Sequence, residues 1–136
     1  MALLAVSGGA RIYYQVSGRG PALVFAHGLG GNHLSWWQQV PVFIRHYTCV
    51  VFAHRGFAPS PDPAGIPDPG HFADDLEALL GHLGFSEVRL VAQSMGGWTA
   101  LRFALRHADR VRALVLSATT GTADPAALPG IAPAEA

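Results

Sequence analysis

Charge is scarce in this sequence. Asp, Glu, Lys and Arg make up 13% of its 136 residues, with nine of each sign and a formal net charge of zero. No basic stripe is present to meet phosphate, so neither nucleic acid nor an acidic membrane surface is an expected partner. Cys49 is the one cysteine. It can form no internal disulfide, which fits a reducing compartment. No apolar run approaches the roughly 20 residues of a membrane-spanning helix. The opening Met1 to Val6 is apolar but short and lacks a basic flank, so it does not read as a signal peptide. The expected location is the cytoplasm. Seven histidines are scattered along the chain, and no pair has metal-ligand spacing on an expected helix. No metal and no other cofactor is therefore expected.

Apolar residues make up half of the chain. That is a globular composition, with enough chain for one domain and a buried core. Leu3 to Val6 and Arg11 to Val16 read as an antiparallel pair of edge strands separated by Ser7-Gly8-Gly9-Ala10. Ala22 to Ala26, Thr48 to Ala53, Val88 to Ala92 and Val111 to Ser117 are short apolar runs that suit buried parallel strands. Three helices are expected between them. The first, Trp36 to His46, starts from an Asn32 cap and is interrupted by Pro41. It carries Trp37 on its apolar face, so Trp37 is expected in the core. Trp36 and Trp37 could otherwise line a pocket.

Four prolines and two glycines make Pro61 to Gly70 a loop. Asp68-Pro69 then starts a helix, and Gly84 ends it. Between them Phe72, Leu76, Leu79, Leu80 and Leu83 recur at helical spacing. The third helix, Met95 to His107, is expected to turn Trp98, Leu101 and Leu105 inward and Arg102 and Arg106 outward. The fold class is α/β, a mostly parallel sheet with helices on both faces. Such sheets bind ligands at the carboxyl ends of their strands. Three features fall on that edge: the glycine loop after Ala26, the Arg55 loop and Ser94.

Ala92-Gln93-Ser94-Met95-Gly96 places a serine between an apolar strand and a helix-compatible run. A tight turn there lifts the hydroxyl above the sheet. With His27-Gly28-Leu29-Gly30 after the third strand and His54-Arg55-Gly56-Phe57 with Ser60 after the fourth, the chain resembles the α/β-hydrolase superfamily over about residues 10–120. The resemblance implies Ser94 as nucleophile and the Leu29 and Met95 backbone N–H groups as oxyanion donors. His27, Gly28, Gly30, Arg55 and Gly96 would support the loops. His27 and His54 are expected to brace loops rather than to act as bases, and Arg55 to hold its own loop. Three positions depart from the family pattern: Ala92, at the first small position of the elbow, where glycine is commoner; Ala53, where an aspartate is common; and Ala58, where a glycine is common.

The family's catalytic triad continues with an acid and then a histidine. Asp124 is the one later aspartate that could approach the site, and it is a weak candidate because a cap linker suits it better. No histidine follows His107. Residues 1–120 are thus expected to be the N-terminal part of a hydrolase domain, and 121–136 an Ala/Pro-rich tail that begins a cap. The rest of the cap, two strands and the triad acid and histidine would occupy roughly 100 to 150 further residues. The expected function is a serine hydrolase of esterase or lactonase type acting on a small acyl substrate through Ser94, with no turnover expected of these 136 residues alone. One alternative is a non-catalytic half-domain that needs a partner chain. Another is a cofactor-free haloperoxidase or C–C hydrolase on the same fold. Strand 111–117 would leave an apolar edge open to self-association.

Overall fold

In the computed structural model, which describes residues 2–120, the expected strands form at Leu3–Ala5 (β1), Arg11–Gly18 (β2), Ala22–Ala26 (β3), Thr48–Phe52 (β4), Val88–Gln93 (β5) and Val111–Ser117 (β6). They build one sheet in the order β1-β2-β4-β3-β5-β6. β1 and β2 pair antiparallel, as do β2 and β4. The β3–β4, β3–β5 and β5–β6 pairs are parallel. Parallel pairs need crossovers, and two of these are helices: α2 (Phe72–Leu83) between β4 and β5, and α3 (Gly96–Arg106) between β5 and β6.

Side-chain alternation sends the two faces of the central strands into two cores. Val24, Val50, Phe52, Leu90 and Ala92 pack with Leu76, Leu79 and Leu80 of α2 and with Ala100 and Phe103 of α3. Leu23, Phe25, Cys49 and Val51 face the other way, against Trp36. Leu76, Leu79 and Leu80 are at most 1% exposed, so each contributes about 2 kcal/mol of burial. The stops of α2 are local. Asp68 Oδ1 accepts the Gly70 N–H at 2.8 Å in a short turn, Pro69–His71, that leads into the helix. Gly84 closes it in the left-handed conformation, φ 77°.

The segment expected as one helix from Trp36 to His46 is instead two short pieces. A 3₁₀ turn spans His33–Trp36, and helix α1 covers only Val40–Phe43. Asn32 does cap the turn: its Oδ1 accepts the Leu34 N–H at 2.9 Å, and Ser35 Oγ accepts the Asn32 N–H at 3.2 Å. Pro41 lies in the first turn of α1, where its missing N–H costs nothing. The tighter turn also changes which indole faces inward. Trp36 is buried against Phe25, with ring centroids 5.1 Å apart, whereas Trp37 is 71% exposed, contrary to expectation.

Helix α3 is rotated from its expected setting. Gly96, Gly97, Thr99, Ala100 and Phe103 form its buried face. Trp98 and Leu101 are half-buried, Arg102 and Arg106 point outward, and Leu105 is 84% exposed rather than in the core. The paired glycines let the helix approach on the 96–99–100–103 stripe, which carries Leu105 away from the sheet. Arg106 ion-pairs with Asp74 on α2, and Arg112 with Glu87 beside β5. No helix among the described residues is long and apolar enough to cross a membrane.

Candidate active site

Ser94 follows β5 directly and precedes α3, with φ 48°, a left-handed value in a non-glycine residue. That costs on the order of 1 kcal/mol. Its neighbours hold it there. The Ser94 N–H donates to Ser117 O at the end of β6, and Ser94 O accepts the Gly97 N–H, both at 2.9 Å. A Cβ on Gly96 would overlap the carbonyls of Ala26 and His27, so only glycine lets α3 start this close to β3. Ala92, at the other small position, is fully buried. A Cβ there is tolerated because that residue lies in the strand.

The glycine loop after β3 lies beside the serine. A Cβ on Gly28 would stand 3.3 Å from Ser94 Cβ. Gly30 adopts φ 78°, and the Gly31 N–H closes the loop onto Gly28 O at 3.1 Å. Leu29, between them, turns its side chain out, 79% exposed. Among the described residues, neither the Leu29 nor the Met95 backbone N–H has a hydrogen-bond partner. Leu29 follows Gly28, which packs against Ser94, and Met95 follows Ser94 in the chain.

The histidines near this edge are engaged elsewhere. His27 is fully buried, with Nδ1 2.8 Å from Gly28 O and Nε2 accepting the His54 N–H at 2.9 Å. His54 is 1% exposed, with Nδ1 3.0 Å from His27 Nε2 and Nε2 2.7 Å from Thr99 Oγ1. Burial lowers the pKa of both rings, and each ring's neighbouring histidine, His33 for His27 and His27 for His54, pushes the same way. Gly28 O partly restores that of His27. Neither ring faces Ser94 as a free base.

Of the others, His33 packs edge-on against Tyr13 with centroids 4.6 Å apart, and His82 meets Tyr14 Oη at 3.0 Å. His107 lies 3.2 Å from Glu77, His71 lies beside Asp68, and His46 is exposed on the segment before β4. Among the described residues no side chain hydrogen-bonds to Ser94 Oγ, and no group of His, Cys, Asp and Glu could hold a metal ion. Asp124 lies outside the described residues.

Arg55 ties the loop after β4 to α2 and to the turn after β1. Its Nε and Nη2 each lie 2.7 Å from an Asp75 carboxylate oxygen, and Nη2 also reaches Ser7 O and Oγ. The pair is almost fully buried. The Asp75 hydrogen bonds raise the guanidinium pKa. Burial pushes the Asp75 carboxyl up, and Arg55 pulls it back. Ser60 ties the loop to the sheet, donating to Ala53 O at 2.7 Å and accepting the Tyr13 N–H at 2.8 Å. Thr99 is the residue that sequence reasoning missed. Its one signal was a polar side chain on the 96–99–100–103 stripe that turned out to be buried.

Comparison with known proteins gives a consistent family. The model of the alpha/beta hydrolase fold matches residues 21–132. The chain is 37% identical over 106 residues to a fluoroacetate dehalogenase from a Burkholderia species, covering 74% of this chain and 35% of that protein. It is 31% identical over 99 residues to 3-oxoadipate enol-lactonase 2 of Acinetobacter baylyi, covering 73% of this chain and 37% of the other. A crystal structure of a hydrolase from Pseudomonas aeruginosa superposes with a TM-score of 0.84 at 29% identity, over 93% of this chain and 48% of that one. The chain thus spans about a third of the length of these curated relatives and about half of that solved structure.

Proposed function

Since the chain belongs to the alpha/beta hydrolase fold family, we propose that it is the Ser94-bearing part of a hydrolase that cleaves small esters or lactones. The observation that carries this reading is the strained Ser94 elbow, with Gly28 packed against it and, in the adjoining residues Leu29 and Met95, two N–H groups that have no partner among the described residues.

The identity of the nucleophile separates the relatives' chemistries. If a serine oxygen displaced fluoride from a saturated carbon, it would be left as an alkyl ether, which water does not cleave. If it attacks an acyl carbon, the result is an ester that water does cleave. Ser94 therefore favours the enol-lactonase type of reaction over the dehalogenase type, although the dehalogenase is the more similar in sequence.

In the proposed step Ser94 Oγ bonds to the acyl carbon and gives up its proton to a base. The carbonyl oxygen gains charge towards the Leu29 and Met95 N–H groups. The bond to the leaving oxygen breaks, and that oxygen takes up a proton. Water then releases the acid from Ser94. Each oxyanion donor would lower the barrier by about 3 kcal/mol. A serine without a base reacts slowly in both halves of this cycle.

The test exploits that slowness. Incubation of the 136-residue chain with p-nitrophenyl acetate should acetylate Ser94 once and slowly, as read by peptide mass spectrometry. Steady turnover should be no faster than in Ser94→Ala. Acetyl found only at other residues would overturn the acyl reading. Sustained Ser94-dependent turnover would show that a base is present after all.

A second reading, a half-domain completed by another chain, is favoured by β6. Among the described residues its outer edge pairs with nothing, and Val115 and Leu116 are 55% and 38% exposed.

A further inference from the structure

With both rings neutral, the three buried polar side chains behind the glycine loop have only one consistent arrangement of protons. His27 Nδ1 faces a carbonyl, Gly28 O, at 2.8 Å, so it carries the hydrogen. His27 Nε2 accepts the His54 backbone N–H at 2.9 Å, so it carries none. His54 Nδ1 approaches that same lone pair at 3.0 Å and must donate to it, since two bare nitrogens would repel. His54 Nε2 is then an acceptor in the neutral ring, and the Thr99 hydroxyl donates to it at 2.7 Å. The rings meet edge to face, 83° apart. All three residues are at most 1% exposed, so bulk solvent does not compete for these links.

The donors all run one way, from Thr99 on α3 through His54 and His27 to Gly28 O. Aligned bonds of this kind polarise one another. The last acceptor matters most. Gly28 C=O and Leu29 N–H belong to one planar peptide unit, so fixing the direction of the first fixes that of the second.

We propose that His54 and Thr99 are positioning residues, whose directed hydrogen-bond chain through His27 sets the orientation of the Leu29 N–H beside Ser94. The importance of that N–H rests on the acyl-transfer reading above. The hydrogen-bond chain itself does not. Burial keeps both rings neutral, which the arrangement requires.

The test reads the protons directly on the full chain, without turnover. Long-range ¹H–¹⁵N spectra should show His27 and His54 both in the Nδ1–H form. Thr99→Val removes the donor with little change of shape. It should move the His54 ring nitrogen shifts, displace the Leu29 amide resonance, and cut the exchange protection of the Gly31 N–H on Gly28 O about tenfold. Thr99→Ser should restore all three, which filling the space alone would not do.

An Nε2–H ring at either histidine in the wild type would overturn the proposal, and that measurement needs no variant to fold. So would a folded Thr99→Val whose Leu29 and Gly31 amides do not respond. The two claims fail separately. Correct tautomers with no acetylation of Ser94 would support the hydrogen-bond chain and remove the catalytic reading. Wrong tautomers with acetylated Ser94 would do the reverse.

Discussion

At the scale of single residues, the elbow is set by where a side chain is impossible and where one is strained. A methyl on Gly96 meets the backbone carbonyls of Ala26 and His27, which cannot swing aside. Gly96→Ala should therefore cost about 3 kcal/mol, the upper end for overpacking, read as a lower urea midpoint. Gly97→Ala should cost less, because the atoms it meets belong to the Thr119 side chain. Ser94 presents the opposite case, a side chain held at φ 48°. Ser94→Gly should be more stable than Ser94→Ala by about 1 kcal/mol, since only glycine adopts that angle freely. Equal midpoints for the two variants would mean that the elbow stores no strain. Ser94, Gly28 and Gly96 were legible in the sequence because each constraint is local: a serine between strand and helix, and glycines where chains must touch. Thr99 was not, because its meaning depends on how α3 is rotated and on a histidine 45 positions earlier.

The elements are tied together by a few buried polar contacts as well as by the two cores. Arg55 joins the loop after β4 to α2 through Asp75 and to the turn after β1 through Ser7. Removing one partner leaves a buried charge, so Asp75→Leu should cost about 3 to 5 kcal/mol. Arg55→Met with Asp75→Leu should recover much of that, because no charge is then stranded. A double variant as unstable as the sum of the singles would show that the two side chains act independently. Helix α2 was readable in its apolar face and its stop, while the expected Asp68-Pro69 start begins a short 3₁₀ turn three residues before the helix itself. Its apolar spacing, the Asp68-Pro69 turn that leads into it and its Gly84 stop are all local signals. Residues 36–46 were not readable, because two adjacent tryptophans compete for one site beside Phe25 and the 3₁₀ turn decides which wins. Leu105 misled for a similar reason. Its spacing from Trp98 and Leu101 is helical, but the glycine stripe, not the leucine stripe, meets the sheet.

For the whole molecule, two properties follow from what is buried and what is left open. His27 and His54 are neutral inside the fold, with pKa values below the ordinary 6.5. The unfolded chain takes up protons at these sites below about pH 6.5, while the folded chain does not. Stability should thus be flat in this respect above 6.5 and fall on acidification, by about 1.4 kcal/mol per pH unit for each ring while it stays neutral. Urea titrations across that range should show the slope, and His54→Gln should remove about half of it. A wild type equally stable on both sides of 6.5 would contradict neutral buried rings.

The open feature is β6. It is seven residues long and pairs with β5 on one side, and among the described residues nothing pairs with the other. Its one charged side chain, Arg112, is engaged by Glu87 of the same chain, so no free charge guards the edge. Val115 and Leu116 on its two faces, with Leu105 on the neighbouring helix, add exposed apolar surface. The same edge would serve a second copy or a completing chain, since both supply a strand. The isolated 136-residue chain should therefore associate, with a light-scattering mass that rises with protein concentration. Val115→Lys should lower that mass at equal concentration without changing the fold, because a lysine opposite an incoming strand must be desolvated or displaced. A compact monomer at every concentration would show that β6 is guarded in some way its sequence and packing do not display.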